Sequence, residues 1–323
     1  MLVRCHFSKS RSPPSFRCSF SGLPFQGSSV CLVVGQSVFW RGSSRGVSRG
    51  SSSRDGTFLF IRNLMRWVYD RSADGFQGEA LLAESHEILI RKLREHSRLS
   101  RDDLTEIYAL SYTTRALGAN EDLIRQGDDP SVSALVITGM VARYHLLPNG
   151  RRQYLSFHMA GDMPDSQALF IDKMDHAICA LGPALIACLP HKEIIPAFNR
   201  RPPLGFAIWR ETLIDAAIFR EAITNNSART MPARMAHLFC ELLYRARASN
   251  LTNDETCQIP IELTQLGETL GMSIATVNRT LQELRTARVA DLRNGVLSVR
   301  NWRKLAEIGQ FDPGYLHLKK PQA

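Results

Sequence analysis

A polar stripe with a single cation runs along residues 274–286. A rotation of about 100° per residue places Ala275, Asn278, Arg279 and Gln282 on one side of a helix. Arg can bond guanine O6 and N7 together, and Asn or Gln can do the same with adenine N6 and N7. The stripe therefore predicts that these four residues read base edges in the major groove of double-stranded DNA.

Hydroxyl side chains and one further arginine flank this stripe. We expect Thr264, Ser273, Thr276 and Arg293 to contact backbone phosphates, which set the register on DNA without reading its sequence. Ser273 is also a good N-cap for the second helix. A shorter helix is predicted over 262–270, and two helices joined by a tight Gly-containing turn form a helix-turn-helix.

The segments on either side of these helices must position them. Met231–Ala248 is predicted to be a helix with apolar side chains facing inward. Residues 289–292 and 296–299 predict a hairpin across Arg293-Asn294-Gly295, because Asn and Gly tolerate positive φ. A hairpin directly after a helix-turn-helix is typical of a wing. The alternative is a helical bundle with an incidental hairpin.

Residues 112–195 change to the period of short strands. Their apolar runs are separated by turn signals such as Asn149-Gly150 and Gly182-Pro183. This spacing favours an antiparallel sandwich or barrel. Helical patterns precede it, one from Leu81 and a second that begins after Ser100.

Residues 204–225 predict one long helix that is apolar on more than one side. Phe206, Trp209 and Phe219 widen its apolar stripe beyond a single face. A second copy of the helix could cover the extra face, which predicts a homodimer. Burial of the whole helix within one chain is the alternative.

The charge of the chain is unevenly distributed. The net charge is +9, but residues 1–54 contain eight basic residues and no acid. Residues 229–323 carry 13 basic and 9 acidic side chains, whereas residues 55–228 carry 19 and 22. A mildly basic C-terminal unit behind an acidic one fits an end that faces DNA.

Residues 1–64 have the composition of a segment without a packed core. They are rich in Ser, Arg and Gly, and no helical or strand period persists. They superficially resemble a transit peptide. We expect a disordered tail or an untranslated extension, with Met65 as the true start.

No run of about 18 apolar residues occurs, so no membrane span is expected. The seven cysteines contain no CxxC pair. We interpret them as reduced thiols of a cytoplasmic protein, with a disulfide or metal framework as the alternative.

Other chemistry-bearing residues lack the spacing of a site. Three histidines and two cysteines fall in the strand-rich region, without the spacing of metal ligands: His158, His176, His191, Cys179 and Cys188. Four aspartates there fit solvated turns better than paired catalytic acids: Asp162, Asp165, Asp172 and Asp175. Because no nucleophile–base pair and no Gly-rich phosphate loop is found, we expect no enzyme, metal or cofactor.

The segment Thr264–Leu284 resembles the DNA-binding signature of the Crp/Fnr family, and Phe311–His317 is similar to the tail of one subgroup. The resemblance covers about residues 85–317. It implies an α+β fold, with an antiparallel β-roll (jelly roll) sensor over 81–200 and a dimerisation helix over 201–228. A winged helix-turn-helix over 229–311 and a tail over 312–323 complete it.

The resemblance also bears on the base-reading positions and the sensor. Many relatives have Glu where this chain has Ala275, so the cytosine preference that a Glu confers is lost. Cyclic-nucleotide binders carry a Gly-Glu pair and a later Arg. These align with Gly161-Asp162 and Asp175-His176, so the effector pocket is degenerate and cyclic AMP is not expected to bind. Iron–sulfur sensing is not expected either, since no cysteine lies between Cys31 and Cys179.

These patterns predict a sequence-specific transcription regulator that reads an inverted repeat as a homodimer. Its partners would be double-stranded DNA, an unknown small-molecule effector and, for an activator, RNA polymerase, with no membrane partner. One alternative is a ligand-independent DNA-binding protein whose β-roll is only a scaffold. The other is a nucleotide-binding protein whose C-terminal unit contacts protein.

Overall fold

The computed structural model describes four short strands before residue 76, then residues 76–252 and 255–318, with side chains from residue 84 onward. The chain divides into two compact units, Met1–Asp70 and Arg71–Ala323. In the first unit, β1 to β4 pair in order as an antiparallel sheet: Leu2–Phe7, Ser15–Ser21, Val30–Val34 and Ser37–Arg41.

Those four strands differ from the expectation that residues 1–64 hold no strand period. Phe16, Cys18 and Phe20 alternate with polar residues, which is the period of a strand. The other residues of this segment lie outside the described residues. Whether the segment belongs to the translated protein stays a prediction.

The strand-rich region folds as two facing antiparallel sheets, as predicted. One sheet has the order β6-β10-β8-β9 and the other the order β5-β11-β7. The strands are β5 Thr113–Leu117, β6 Asp122–Ile124, β7 Val132–Thr138, β8 Met140–Leu146, β9 Arg152–Met159, β10 Ala177–Ala180 and β11 Ala184–Pro190. A core of small and branched side chains, including Val136, Val141, Ile178 and Ile186, fills the space between the sheets.

Helices flank the roll on both sides in sequence. They are α1 Phe76–Arg94, α2 Arg101–Tyr108, α3 His191–Arg200 and the long α4 Pro202–Ala228. Ser100 caps α2 in a reciprocal capping box with Asp103, which confirms the predicted helix start. None of the helices among the described residues is both long enough and apolar enough to cross a membrane.

The C-terminal elements match the predicted winged helix-turn-helix. They are α5 Met231–Ala248, β12 Thr256–Gln258, α6 Leu263–Leu270, α7 Ile274–Thr286, β13 Ala290–Arg293, β14 Val296–Val299 and α8 Trp302–Gly309. The small sheet has the antiparallel order β12-β14-β13. A short 3-10 helix, Pro313–Leu316, follows.

One apolar core joins the sensor sheet to the C-terminal helices. It includes Tyr154 and Phe157 of β9 together with Phe239 of α5 and Leu266 of α6. The phenol of Tyr154 accepts a hydrogen bond from Gln265 Nε2 at 3.4 Å. The roll therefore packs on α1 to α4 with one sheet and on the helix-turn-helix unit with the other.

Candidate nucleic-acid interface and sensor site

The second helix of the pair, α7, separates a buried face from an exposed one. Val277, Leu281 and Leu284 are buried at 4% exposure or less. The four predicted base readers are all exposed: Ala275, Asn278, Arg279 and Gln282. The structure thus brings the four predicted residues together on one accessible helix face, as the period required.

The turn that aims this face is fixed by local geometry. Gly271 ends α6 in the left-handed region at φ 64°, and Ser273 Oγ accepts from the Thr276 amide to cap α7. Gly267 lies so close to the Met272 carbonyl oxygen that a Cβ would stand 2.7 Å from it. Only a residue without Cβ allows the two helices to approach this closely.

Three of the predicted base-reading side chains have neighbours that orient them, and the Asn278 side-chain amide donates to the Ile274 carbonyl at 3.1 Å. Arg279 lies 3.9 Å from Glu283, an exposed pair that holds the guanidinium only weakly. Gln282 accepts from Arg285 Nη1 at 2.8 Å, and Arg285 also donates to Asp291 at 2.7 Å. Arg285 therefore links α7 to the wing. Arg285 was not among the predicted site residues, although its position one turn from the polar stripe was a signal.

The wing turn forms at Asn294 and Gly295, which both adopt positive φ, as predicted. Arg293 remains largely exposed, yet its Nε lies 2.8 Å from Asp291 Oδ2. Asp291 thus holds both Arg285 and Arg293, and the hydrogen bonds from Arg285 together with the charges of both arginines keep the pKa of its carboxyl below the usual range. Of the other predicted phosphate contacts, Thr264 and Ser273 are exposed and Thr276 is half-buried.

The predicted effector residues occupy two different environments. Gly161 makes a turn after β9, and the Asp162 side chain is buried between α1 and α5. Its carboxylate accepts from the Met159 amide at 2.9 Å and pairs with Lys92 at 3.1 Å and Arg245 at 2.6 Å. Asp162 is therefore part of the packing between the β-roll and the helix-turn-helix unit.

Strong charges decide the ionisation of this buried aspartate. Burial alone would raise the pKa of Asp162, but the Arg245 guanidinium and the Lys92 ammonium hold that pKa well below its usual range. Arg245 and Lys92 also pair with Glu241 and Glu95, respectively. The carboxylate is thus ionised and fully partnered at neutral pH.

The other two predicted effector residues, Asp175 and His176, lie directly before β10. The His176 ring is buried and its Nδ1 is 2.8 Å from Asp175, whose carboxylate is largely exposed. Burial and the nearby Arg143 lower the pKa of His176. Its Nε2 lies 3.3 Å from the amide of Gln167 in the 3-10 helix Ser166–Leu169.

A buried cation that was not predicted does reach this region. Arg143 of β8 is 2% exposed and donates to the Pro164 carbonyl at 2.7 Å. Its guanidinium also contacts Asp215 of α4 and stacks over the Phe219 ring. An arginine directly after the apolar run Met140-Val141-Ala142 was the available signal. Asp215 neutralises the Arg143 cation, and this ion pair links the roll to the long helix α4.

The remaining histidines and cysteines do not form one site. His158 bonds Ser156 at 2.8 Å within β9, whereas His191 at the start of α3 bonds Ser133 of β7 at 3.0 Å. Burial places the pKa of His158 well below its usual range, so its ring is neutral. Cys179 and Cys188 are free thiols, and burial raises the pKa of each.

Comparison with known families matches both halves of the described region. Residues 114–201 match the cyclic nucleotide-binding domain, and residues 233–308 match the Crp-like helix-turn-helix domain. The solved structure of FixK2 from Bradyrhizobium japonicum is similar, with a TM-score of 0.55 and 22% identity. That alignment covers 62% of this chain and 98% of the FixK2 chain.

Curated relatives agree with the two domain matches. The fumarate and nitrate reduction regulatory protein of Vibrio cholerae is 19% identical over 65% of this chain and 84% of its own length. The transcriptional activator protein FnrL of Cereibacter sphaeroides is 22% identical over 64% of this chain and 81% of its own length. The chain belongs to the Crp/Fnr family of DNA-binding transcription regulators.

Proposed function

We propose that this regulator binds an inverted repeat as a homodimer and reads it with the exposed face of α7. The observation that carries the proposal is the face itself, where Asn278, Arg279 and Gln282 are exposed beside Ala275. In a two-fold dimer the two α7 helices would enter successive major grooves, about 34–36 Å apart. Thr264, Ser273, Thr276 and Arg293 would contact the flanking phosphates.

The exposed side of α4 supports the dimer. Phe206, Trp209, Leu213 and Ile223 are 49–70% exposed and follow one side of the helix. The opposite side, with Leu204, Ile208 and Ile214, is buried against the sensor. A second copy of α4 would cover this exposed apolar side, as the hydrophobic effect favours. We accordingly assign 81–200 to the sensor, 201–228 to dimerisation and 229–311 to DNA binding.

We further propose that the sensor does not respond to cyclic AMP. Asp162 is fully paired within the fold. His176 stands where a phosphate-binding Arg is expected, and Asp175 places an acid beside its ring. Arg143, the cation nearby, is neutralised by Asp215. Titration of the full chain with cyclic AMP is expected to give no saturable heat up to about 1 mM. Saturable binding below that concentration would overturn this part.

The same contacts favour a second candidate, a DNA-binding protein whose β-roll is a ligand-independent scaffold. In that case no small molecule would change duplex affinity. For either candidate the protein would act in the cytoplasm, where the chromosome is accessible. An activator would also contact RNA polymerase, which transcription with purified polymerase would distinguish from repression.

The experiment that tests the proposal is selection of random DNA duplexes by the full chain at fixed, near-physiological salt. We expect enrichment of an inverted repeat, and Arg279→Ala should lose about 1–3 kcal/mol of binding free energy on it. The matched control is Arg98→Ala, which removes an exposed arginine from the sensor. Equal loss in both variants would mean that only charge is read, and would contradict the proposal.

A further inference from the structure

A cavity of about 380 Å³ opens into one end of the β-roll. Ile124, Ala134 and Cys188 form its apolar wall, and Asp128, Asp129 and Asp165 supply its acidic groups. This volume lies in the range of small-molecule sites, with room for on the order of ten non-hydrogen atoms. No lining residue comes from α4 or from the degenerate pocket of Gly161, Asp162, Asp175 and His176.

Asp165 carries the chemistry of this cavity. Its side chain is completely buried, and Oδ1 accepts from the Ala134 amide at 2.8 Å. Oδ2 is also buried and has no hydrogen-bond partner among the described residues. An unpartnered buried carboxylate oxygen is costly, so a donor that entered the cavity would be bound favourably. Burial raises the pKa of Asp165 to about 7, which leaves the group mostly ionised at pH 8.

The other charges of the wall favour a cation. Among the described residues of the lining, Arg115 is the one that is basic, and its guanidinium donates to the carbonyls of Leu123 and Asp122 and to Glu121. That charge is engaged by these acceptors. Asp128 and Asp129 are exposed at the rim and leave an acidic entrance. Acidic side chains that line a partly desolvated cleft attract a cationic ligand more strongly than they would in open solvent.

We propose that this cavity is a binding site for a small organic cation, with an alkylammonium or guanidinium group on Asp165 Oδ2. Its hydrocarbon part would pack on the apolar wall formed by Ile124, Ala134 and Cys188. The proposal goes beyond the DNA-reading function and does not depend on it. A hydrocarbon chain with a terminal cation fits this wall better than a bare ion does.

Calorimetric titration of the full chain at pH 8 tests the site. The probes are agmatine and putrescine, with 1,4-butanediol as the neutral control and succinate as the anionic one. We expect saturable binding of at least one cation and of neither control. Asp165→Asn keeps the shape and the acceptor for the Ala134 amide, and should weaken binding by at least about tenfold. Asp172→Asn removes an exposed aspartate outside the cavity and should leave binding unchanged.

Cys188→Met serves as an independent variant, since it fills the cavity from β11 and should also weaken binding. Folding of each variant is checked by circular dichroism and by binding to the selected duplex. Absence of cation binding in a folded, DNA-binding protein would overturn the site while leaving the DNA-reading function intact. Equal affinity in Asp165→Asn and the wild type would overturn it as well.

Discussion

At the scale of single residues, the contact between the β-roll and the helix-turn-helix unit depends on buried charged side chains. Asp162 meets Arg245 from α5 and Lys92 from α1, and all three side chains are less than 9% exposed. Removal of one partner from a buried ion pair leaves the other charge uncompensated. This loss costs more stability than the Coulomb attraction of the pair contributes. These residues therefore specify how the helix-turn-helix unit sits on the roll.

Asp162→Asn should destabilise the fold by about 3 kcal/mol at pH 7, measured by chemical denaturation. Asp172→Asn, an exposed aspartate, should change stability by less than about 0.5 kcal/mol. If both variants change stability by less than about 0.5 kcal/mol, the buried ion pair does not hold the β-roll and the helix-turn-helix together.

The depressed pKa of Asp162 gives this contact a pH dependence. The unfolded chain takes up a proton at this carboxyl more readily than the folded chain does. Its contribution is therefore fully present above about pH 4 and is lost as the pH falls towards the folded pKa. Between about pH 5 and pH 3 the wild type should lose more stability than Asp162→Asn, which lacks the titrating group.

At the scale of elements, the helix-turn-helix depends on one close approach. A Cβ on Gly267 would meet the Met272 carbonyl oxygen, a backbone atom that cannot move aside without opening the turn. Gly267→Ala should therefore cost about 1–3 kcal/mol of stability and weaken duplex binding. Gly182→Ala is the matched control, because its Cβ would meet only ordinary contacts at 3.5 Å and beyond. A neutral Gly267→Ala would contradict the geometry of the turn.

The exposed apolar side of the long helix α4 leads to a prediction about the dimer. Ile223 is 70% exposed on the apolar side that we assign to the dimer. Ile223→Glu should give a monomer in sedimentation velocity, since a buried charge without a partner is strongly unfavourable at an interface. Ile195→Glu places the same change on α3, at an isoleucine that is 45% exposed, and should leave the dimer intact. A dimer in both variants would place the interface elsewhere.

Local signals explain how much of these elements the sequence predicted. The period of α7, the Ser273 cap and the Asn294-Gly295 turn are each set by residues close in sequence, and all three are confirmed. The contacts of Arg143 with Asp215 and of Arg245 with Asp162 join residues 72 and 83 positions apart. Such pairs depend on how strands and helices pack, which periodicity does not encode, so both were missed.

At the scale of the whole molecule, the sensor and the DNA-binding unit share one apolar core across β9, α5 and α6. The long helix α4 contacts the roll through Asp215 and leaves its other side exposed. We therefore expect a change in the roll to affect both α4 and the helix-turn-helix. In a two-fold dimer this arrangement fixes the distance between the two α7 helices, and so the spacing of the half-sites that they read.

Duplex affinity as a function of half-site spacing shows whether a dimer reads successive major grooves with α7. The selected inverted repeat is compared with a version carrying about 5 bp more between half-sites, which turns one half-site to the opposite side of the DNA. We predict that the full chain binds the first duplex and loses specific binding to the second, and that Arg279→Ala binds both weakly. Equal affinity of the wild type for both duplexes would contradict a dimer that reads successive major grooves with α7.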